Sequence, residues 1–150
     1  MWETRAMFLG EFEHTLDDKG RLAVPAKFRP ALANGMVITR GLDTCLFVWT
    51  MEDWLVVADR LAQQSLMHPD VRRLQRLFFA GATDTAPDRM GRVLLPAFLR
   101  EYAELRDAVV VVGLSNRIEI WSQIHWQAER ASTERDSSQL AEHLFAMGAQ

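Results

Sequence analysis

Asp17-Asp18-Lys19-Gly20-Arg21-Leu22-Ala23-Val24-Pro25-Ala26 returns later in the chain as Asp88-Arg89-Met90-Gly91-Arg92-Val93-Leu94-Leu95-Pro96-Ala97. Both stretches read D-x-x-G-R, then an apolar strand pattern, then Pro-Ala. Upstream, Phe8 and Gly10 match Phe79 and Gly81 at the same offset. Downstream, Gly41-Leu42, Trp49 and Trp54 match Gly113-Leu114, Trp121 and Trp126 after a shift of one residue. Gly, Arg, Pro and two tryptophans kept in order over about 45 residues mark a tandem duplication.

Within each copy the motif has a local reading. Asp at the first position and Gly at the fourth suit a type I turn closed by a left-handed glycine, with a G1 bulge joining two strands. One strand runs into each turn, near 7–14 and near 78–84. In the strand that follows, Leu22 and Val24 face one way while Arg21 and Ala23 face the other. Val93 and Leu95 are the inward set of the second copy, with Arg92 outward. Pro25 and Pro96 stand where helices begin, because a missing N–H costs nothing there. Pro30 shortens the first of these helices, whereas the second spans 96–104.

A β-hairpin follows in each copy: Met36–Arg40 with Cys45–Trp49, and Ala108–Val112 with Arg117–Trp121. Gly41 and Gly113 open the turns. Thr50 and Ser122 read as N-caps of helices starting near 51 and 123, with Asp53 completing a capping-box-like pair. The first helix runs over about 51–66, and His68-Pro69-Asp70 restarts the chain as a second over about 69–79. Ser132–Ser138 reads as a polar, mobile stretch before a last helix at 138–147, whose Leu140, Leu144 and Met147 suit packing on this chain or on a neighbour. Four short strands per half plus helices give an α+β class. Neither half is large enough to bury a good core alone. The two are therefore expected to pack about a pseudo-two-fold into one barrel-like sheet core with peripheral helices.

The 150 residues are 49% apolar and 25% charged, a globular balance. No apolar run reaches the roughly 18 residues of a membrane span. The single Cys45 forms no internal disulfide and suits a reducing cytosol, where it reads as a buried hydrophobe. The net charge is −3, but its distribution matters more than its sum. Lys19, Arg21, Lys27 and Arg29 fall in a stretch without acids, as do Arg89, Arg92 and Arg100. Arginine outnumbers lysine 15 to 2, which suits bidentate phosphate contact and equally a GC-rich genome.

Enzyme constellations are missing. His14, His68, His125 and His143 have no metal-ligand spacing, and no nucleophile elbow or phosphate-binding glycine loop occurs. His14 near Asp17 has no Ser or Cys beside it, and His125 reads as a packing residue. No catalytic residue, metal or cofactor is expected. Trp49, Trp54, Trp121 and Trp126 could stack on bases, but their duplicated placement favours packing. The Arg72, Arg73 and Arg76 face of the second helix reads as solvated.

The D-x-x-x-R pair admits two readings. Asp stabilises the turn, Gly supplies positive φ, and Arg returns to the carboxylate. An exposed Asp–Arg pair contributes only about 0–1 kcal/mol, so that reading explains Arg less well. It leaves Lys19, Lys27 and Arg29 unexplained. A two-stranded projection carrying Lys19 and Arg21 could instead enter a DNA major groove, where arginine reads guanine O6 and N7.

The run Met7-Phe8-Leu9-Gly10-Glu11-Phe12-Glu13-His14-Thr15-Leu16-Asp17-Asp18-Lys19-Gly20-Arg21, with Val24-Pro25 and the second D-x-x-G-R, resembles the MraZ family of bacterial transcriptional regulators. The resemblance extends from Met7 to about residue 147. It implies two AbrB-like swapped-hairpin halves pairing within one subunit: a first repeat at 7–54, linking helices at 55–78, a second repeat at 79–126 and a C-terminal helix at 127–150. It further implies ring-shaped homo-oligomers, commonly of eight subunits. These bind TGGG-type direct repeats in double-stranded DNA upstream of their own division and cell-wall operon, repress it, and associate with the cytoplasmic nucleoid, with no membrane partner. The DNA-contacting arginine carries over to Arg21, with Lys19 beside it and Arg92 in the equivalent place; Lys27 and Arg29 extend the cationic face. Two departures stand out. Residues 1–6 precede the usual family start, leaving Met1 and Met7 both open as initiator. Pro87 and Met90 replace Leu16 and Lys19, and the lost lysine suggests a weaker second contact. The competing class is a toxin–antitoxin-style or scaffold module that uses the same fold for protein contact and ignores DNA.

Overall fold

A computed structural model describes residues 7–148. The first half holds β1 (Phe8–Thr15), β2 (Arg21–Ala23), a 3-10 turn (Ala26–Phe28) running into α1 (Arg29–Leu32), β3 (Met36–Arg40) and β4 (Leu46–Thr50). Two connecting helices follow, α2 (Met51–Ala62) and α3 (Pro69–Ala80). The second half holds β5 (Thr83–Thr85), β6 (Arg92–Leu94), α4 (Ala97–Tyr102), β7 (Ala108–Ser115) and β8 (Arg117–Ser122), and ends in α5 (Gln123–Ala146). Each half supplies four strands, as the duplication implies.

The strands flanking each D-x-x-G-R turn do not pair with each other. β1 pairs antiparallel with β7 of the second half, and β5 pairs with β3 of the first. Each half therefore lends its first strand to the other's hairpin. The six strands lie in the order β1-β7-β8-β4-β3-β5, an open sheet with β1 and β5 at its edges. β2 and β6, one from each half, form a separate antiparallel ribbon. The exchange follows from size: a half of some fifty residues cannot cover its own apolar strand faces, so each completes the other.

Strand alternation divides the core between the two faces of the sheet. Leu46, Val48, Val109, Val111, Ile118 and Ile120 point to the face covered by the ribbon, α1 and α4. There they meet Leu22, Val24, Phe28, Val93, Leu95 and Leu99, a core drawn equally from both halves. Phe28 stands edge-on to Phe8 and Phe12, with centroids 5.1 and 5.2 Å away. The opposite face carries Phe47, Trp49, Val110, Val112 and Trp121, covered by Phe78, Leu74 and Leu77 of α3 and by Trp54 and Trp126. Valines at four consecutive positions in β7 thus serve both layers, which is why that strand shows no polar alternation.

Several expected boundaries shift. The strand expected near 78–84 is reduced to Thr83–Thr85, because α3 runs on to Ala80 and absorbs Phe79. Gly113 does not open a turn: it lies inside β7 opposite Gly10, where the backbone of Phe8 and Leu9 leaves no room for a Cβ. The hairpin turns instead at Ser115, which takes φ 66°. α2 stops at Ala62, short of 66. Ser132–Ser138 is helical, part of one 24-residue α5 rather than a mobile stretch before a separate helix. Arg130 anchors that helix to Glu11 at 2.7 Å, and Thr133 donates to Glu129 one turn back at 3.0 Å. Solvated polar residues continue a helix that is already nucleated and tethered. Thr50 and Ser122 cap α2 and α5, accepting from the amides of Asp53 and His125 at 3.1 Å each. Residues 1–6, on which the choice between Met1 and Met7 turns, lie outside the described residues.

Candidate nucleic-acid interface

Gly20 and Gly91 take φ 80° and 77°, the left-handed conformation a type I turn with a G1 bulge requires. Each turn closes through the same bonds. The Gly20 amide donates to the Asp17 carbonyl at 3.0 Å, and Gly91 to Asp88 at 2.9 Å. The Asp17 carboxylate accepts from the Lys19 and Arg21 amides at 2.9 and 2.8 Å, and from Arg21 Nε at 2.6 Å. Asp88 repeats this with Met90, Arg92 and Arg92 Nε, the last at a longer 3.2 Å. The Arg21 amide, followed by its guanidinium and the Lys19 amide, holds the Asp17 carboxyl down to about 2 against the cost of its partial burial. Asp88 is lowered as well, first by the Arg92 amide and then by that of Met90.

The ribbon brings the two turns into one surface. Leu22 opposes Val93, both buried, at its centre. Arg21 opposes Leu94 and Ala23 opposes Arg92 on its outer face. Arg21 and Arg92 are diagonal neighbours there, about 7–8 Å apart at the backbone. Their side chains keep roughly 30% exposure, so neither guanidinium is locked inside. Beyond the strands the pairing is prolonged at both ends: Leu95 donates to the Gly20 carbonyl at 3.0 Å and Val24 to that of Gly91 at 2.8 Å. Lys19 and Arg89 are exposed at the two tips.

The other expected contacts lie apart from that face. Lys27 is exposed, its ammonium 5.9 Å from the Phe12 ring centroid. Arg29 is half-buried, donates through Nε to the Val24 carbonyl at 2.8 Å, and covers Gly91 of the other half. Arg100, which the sequence reading counted only as charge, does the same with the Leu95 carbonyl at 2.9 Å and covers Gly20. Their matching positions in the repeat were the available signal. Sequence reading also missed Glu119, a nearly buried carboxylate accepting from Trp121 Nε1 at 2.9 Å and pairing with Arg117 at 3.1 Å.

The remaining candidates serve packing. Trp49 and Trp121 are buried, and their ring centroids lie 5.6 and 5.7 Å from those of Trp54 and Trp126, so the tryptophans pack on one another at tilted angles. Cys45 is fully buried, and burial pushes its thiol up to about 12. His14 is lowered by burial and by the neighbouring Arg29 charge. His125 faces Glu104 at 3.5 Å. No helix among the described residues is long and apolar enough to cross a membrane. The arrangement as a whole is a two-arginine ribbon with an exposed basic residue, Lys19 or Arg89, at each tip.

A family model described as "MraZ protein, putative antitoxin-like" matches the chain twice, at residues 7–77 and 78–147. The chain is 47% identical over 138 residues to the transcriptional regulator MraZ of Desulforamulus reducens, an alignment covering 92% of this chain and 97% of that protein. It is 48% identical over 142 residues to the protein of the same name from Herpetosiphon aurantiacus, covering 95% and 99%. To that of Moorella thermoacetica it is 49% identical over 138 residues, covering 92% and 96%.

Proposed function

The chain belongs to the MraZ family, and from that premise we propose that it is a sequence-specific DNA-binding transcriptional regulator. It represses its own division and cell-wall operon by binding promoter direct repeats, and it works in the cytoplasm on the nucleoid. Arg21 is the principal base reader. Arg92 is its partner on the same ribbon face, Lys19 contacts phosphate at the tip, and Lys27 extends the contact to the flanking backbone. The observation that carries this reading is the pairing of β2 with β6, which makes Arg21 and Arg92 diagonal neighbours on one outward face. Two separate structural ion pairs would not need their arginines to share a face.

One ribbon offers few cations, and phosphate contacts supply most of the affinity of a DNA complex. A ring-shaped homo-oligomer, such as an octamer, repeats the ribbon while direct repeats in the DNA repeat the target, so avidity makes up the difference. Leu140 and Leu144 on α5 and Met147 at its C-cap are exposed on this chain, which leaves them for a second copy. We read the strand exchange as the swapped-hairpin arrangement of two AbrB-like units, at 7–54 and 79–126, around a barrel-like core. The segments 55–78 and 127–150 then serve as linking and C-terminal helices.

A gel shift on the duplex immediately upstream of the chain's own coding region tests the proposal. Arg21→Ala is expected to weaken binding by about 1–3 kcal/mol and relax base preference, and Arg92→Ala to weaken it similarly. An unchanged shift for Arg21→Ala at several salt concentrations sinks the DNA reading. If the same variant also keeps its protein partners, the scaffold or antitoxin-style reading replaces it.

A further inference from the structure

We propose that Arg29 and Arg100 are positioning residues, each holding the D-x-x-G-R turn of the opposite half in its working shape. The inference rests on the DNA-binding reading for its consequence, though not for its geometry. The Gly20 carbonyl accepts from the Leu95 amide at 3.0 Å, and the Leu95 carbonyl accepts from Arg100 Nε at 2.9 Å. The Arg100 guanidinium then lies over Gly20 itself, in the space a Cβ would fill. Gly91, Val24 and Arg29 repeat the circuit, with bonds of 2.8 Å from the Val24 amide to Gly91 and 2.8 Å from Arg29 Nε to Val24.

Glycine is required in each turn for its positive φ, and its missing Cβ also leaves the space in which the guanidinium lies. A planar guanidinium with a rigid fork can bond a carbonyl in the ribbon plane and still cover a flat backbone surface; an ammonium cannot. The residues act crosswise: Arg100 of the second half governs Lys19 and Arg21, and Arg29 of the first half governs Arg89 and Arg92. Arg29 is thereby moved from DNA contact to support. The circuit also explains how two turns at opposite ends of a short ribbon keep one geometry, since loosening either clamp frees one turn and spares the other.

Hydrogen–deuterium exchange on the full-length protein reads this directly. Arg100→Gln is expected to speed amide exchange in 17–23 and at Leu95 by about fivefold and to leave 88–94 and Val24 unchanged, with Arg29→Gln doing the reverse. Peptides from β4 report whether the fold is intact. On the upstream duplex, Arg100→Gln and Arg100→Lys are both expected to lose about three- to tenfold in affinity. The salt slope should stay unchanged, whereas a lost phosphate contact lowers it by about one. Full rescue by lysine, a reduced salt slope, or loosening of the turn in the same half each overturns the proposal. If the wild type ignores the duplex the DNA reading falls, and the exchange pattern still decides the clamp.

Discussion

Phe8 and Phe79 hold the same place in the duplicated sequence, yet Phe8 is 2% exposed in the core while Phe79 is 37% exposed on a helix. The first half begins with an eight-residue strand and the second with three residues, because α3 has taken over the segment before it. The difference shows what a duplication preserves under divergence. The turns, the ribbon and the hairpins are needed by both halves at once, since each completes its counterpart. The outer edge strands are not, because β1 borders the sheet on one side and β5 on the other.

The turn tips differ in a second way. Asp17 and Asp18 offset Lys19 and Arg21, whereas Asp88 alone faces Arg89 and Arg92. The second tip therefore carries one more net positive charge despite its missing lysine.

Three experiments would break or sharpen these comparisons. The largest effect is expected in the core. Phe8→Ala should cost about 3–5 kcal/mol and Phe79→Ala about 1 kcal/mol, read as shifts of the urea midpoint. Equal losses would mean that the two edges are equivalent after all. A smaller and symmetric effect is expected at the caps. Thr50→Ala and Ser122→Ala should each cost about 1 kcal/mol, because both hydroxyls accept one amide at the same distance. A clear inequality in thermal unfolding would show that one of the two helices depends on its cap more than the other does.

The smallest effect separates the two aspartates. Both carboxyls are depressed, so each contributes stability above the unfolded carboxyl pKa of about 3.9 and loses it as pH falls through the folded value. The Asp17 turn should persist until the pH approaches about 2. The Asp88 turn should release first, since its arginine contact is the longer of the pair. Carboxyl carbon shifts followed by NMR from pH 6 downward give the order, and an inverted order would contradict the geometry.

The Asp, Gly and alternating apolar residues of each turn act over four or five positions, so their conformation and their inward and outward faces were legible in the chain. So were the helix caps and the packing role of the paired tryptophans, whose repetition marks them as structural. Strand partners were not legible. A D-x-x-G-R turn closes in the same way whether its flanking strands stay together or part, and only the burial of both halves at once parts them. The helical course of Ser132–Ser138 continues a helix whose first turns meet Glu11, more than a hundred residues away in sequence, through Trp126 and Arg130. The crossed arginines are likewise invisible locally, because each belongs to one half and acts on the other. What the sequence alone determined was a repeated Asp–Gly–Arg turn and two halves of one pattern, since turns and amphipathic strands are set by neighbours in the chain. What only the tertiary structure decided was that Arg21 and Arg92 share one face, with Arg100 and Arg29 beneath their turns, because surface that neither half can bury alone forces the two to interleave.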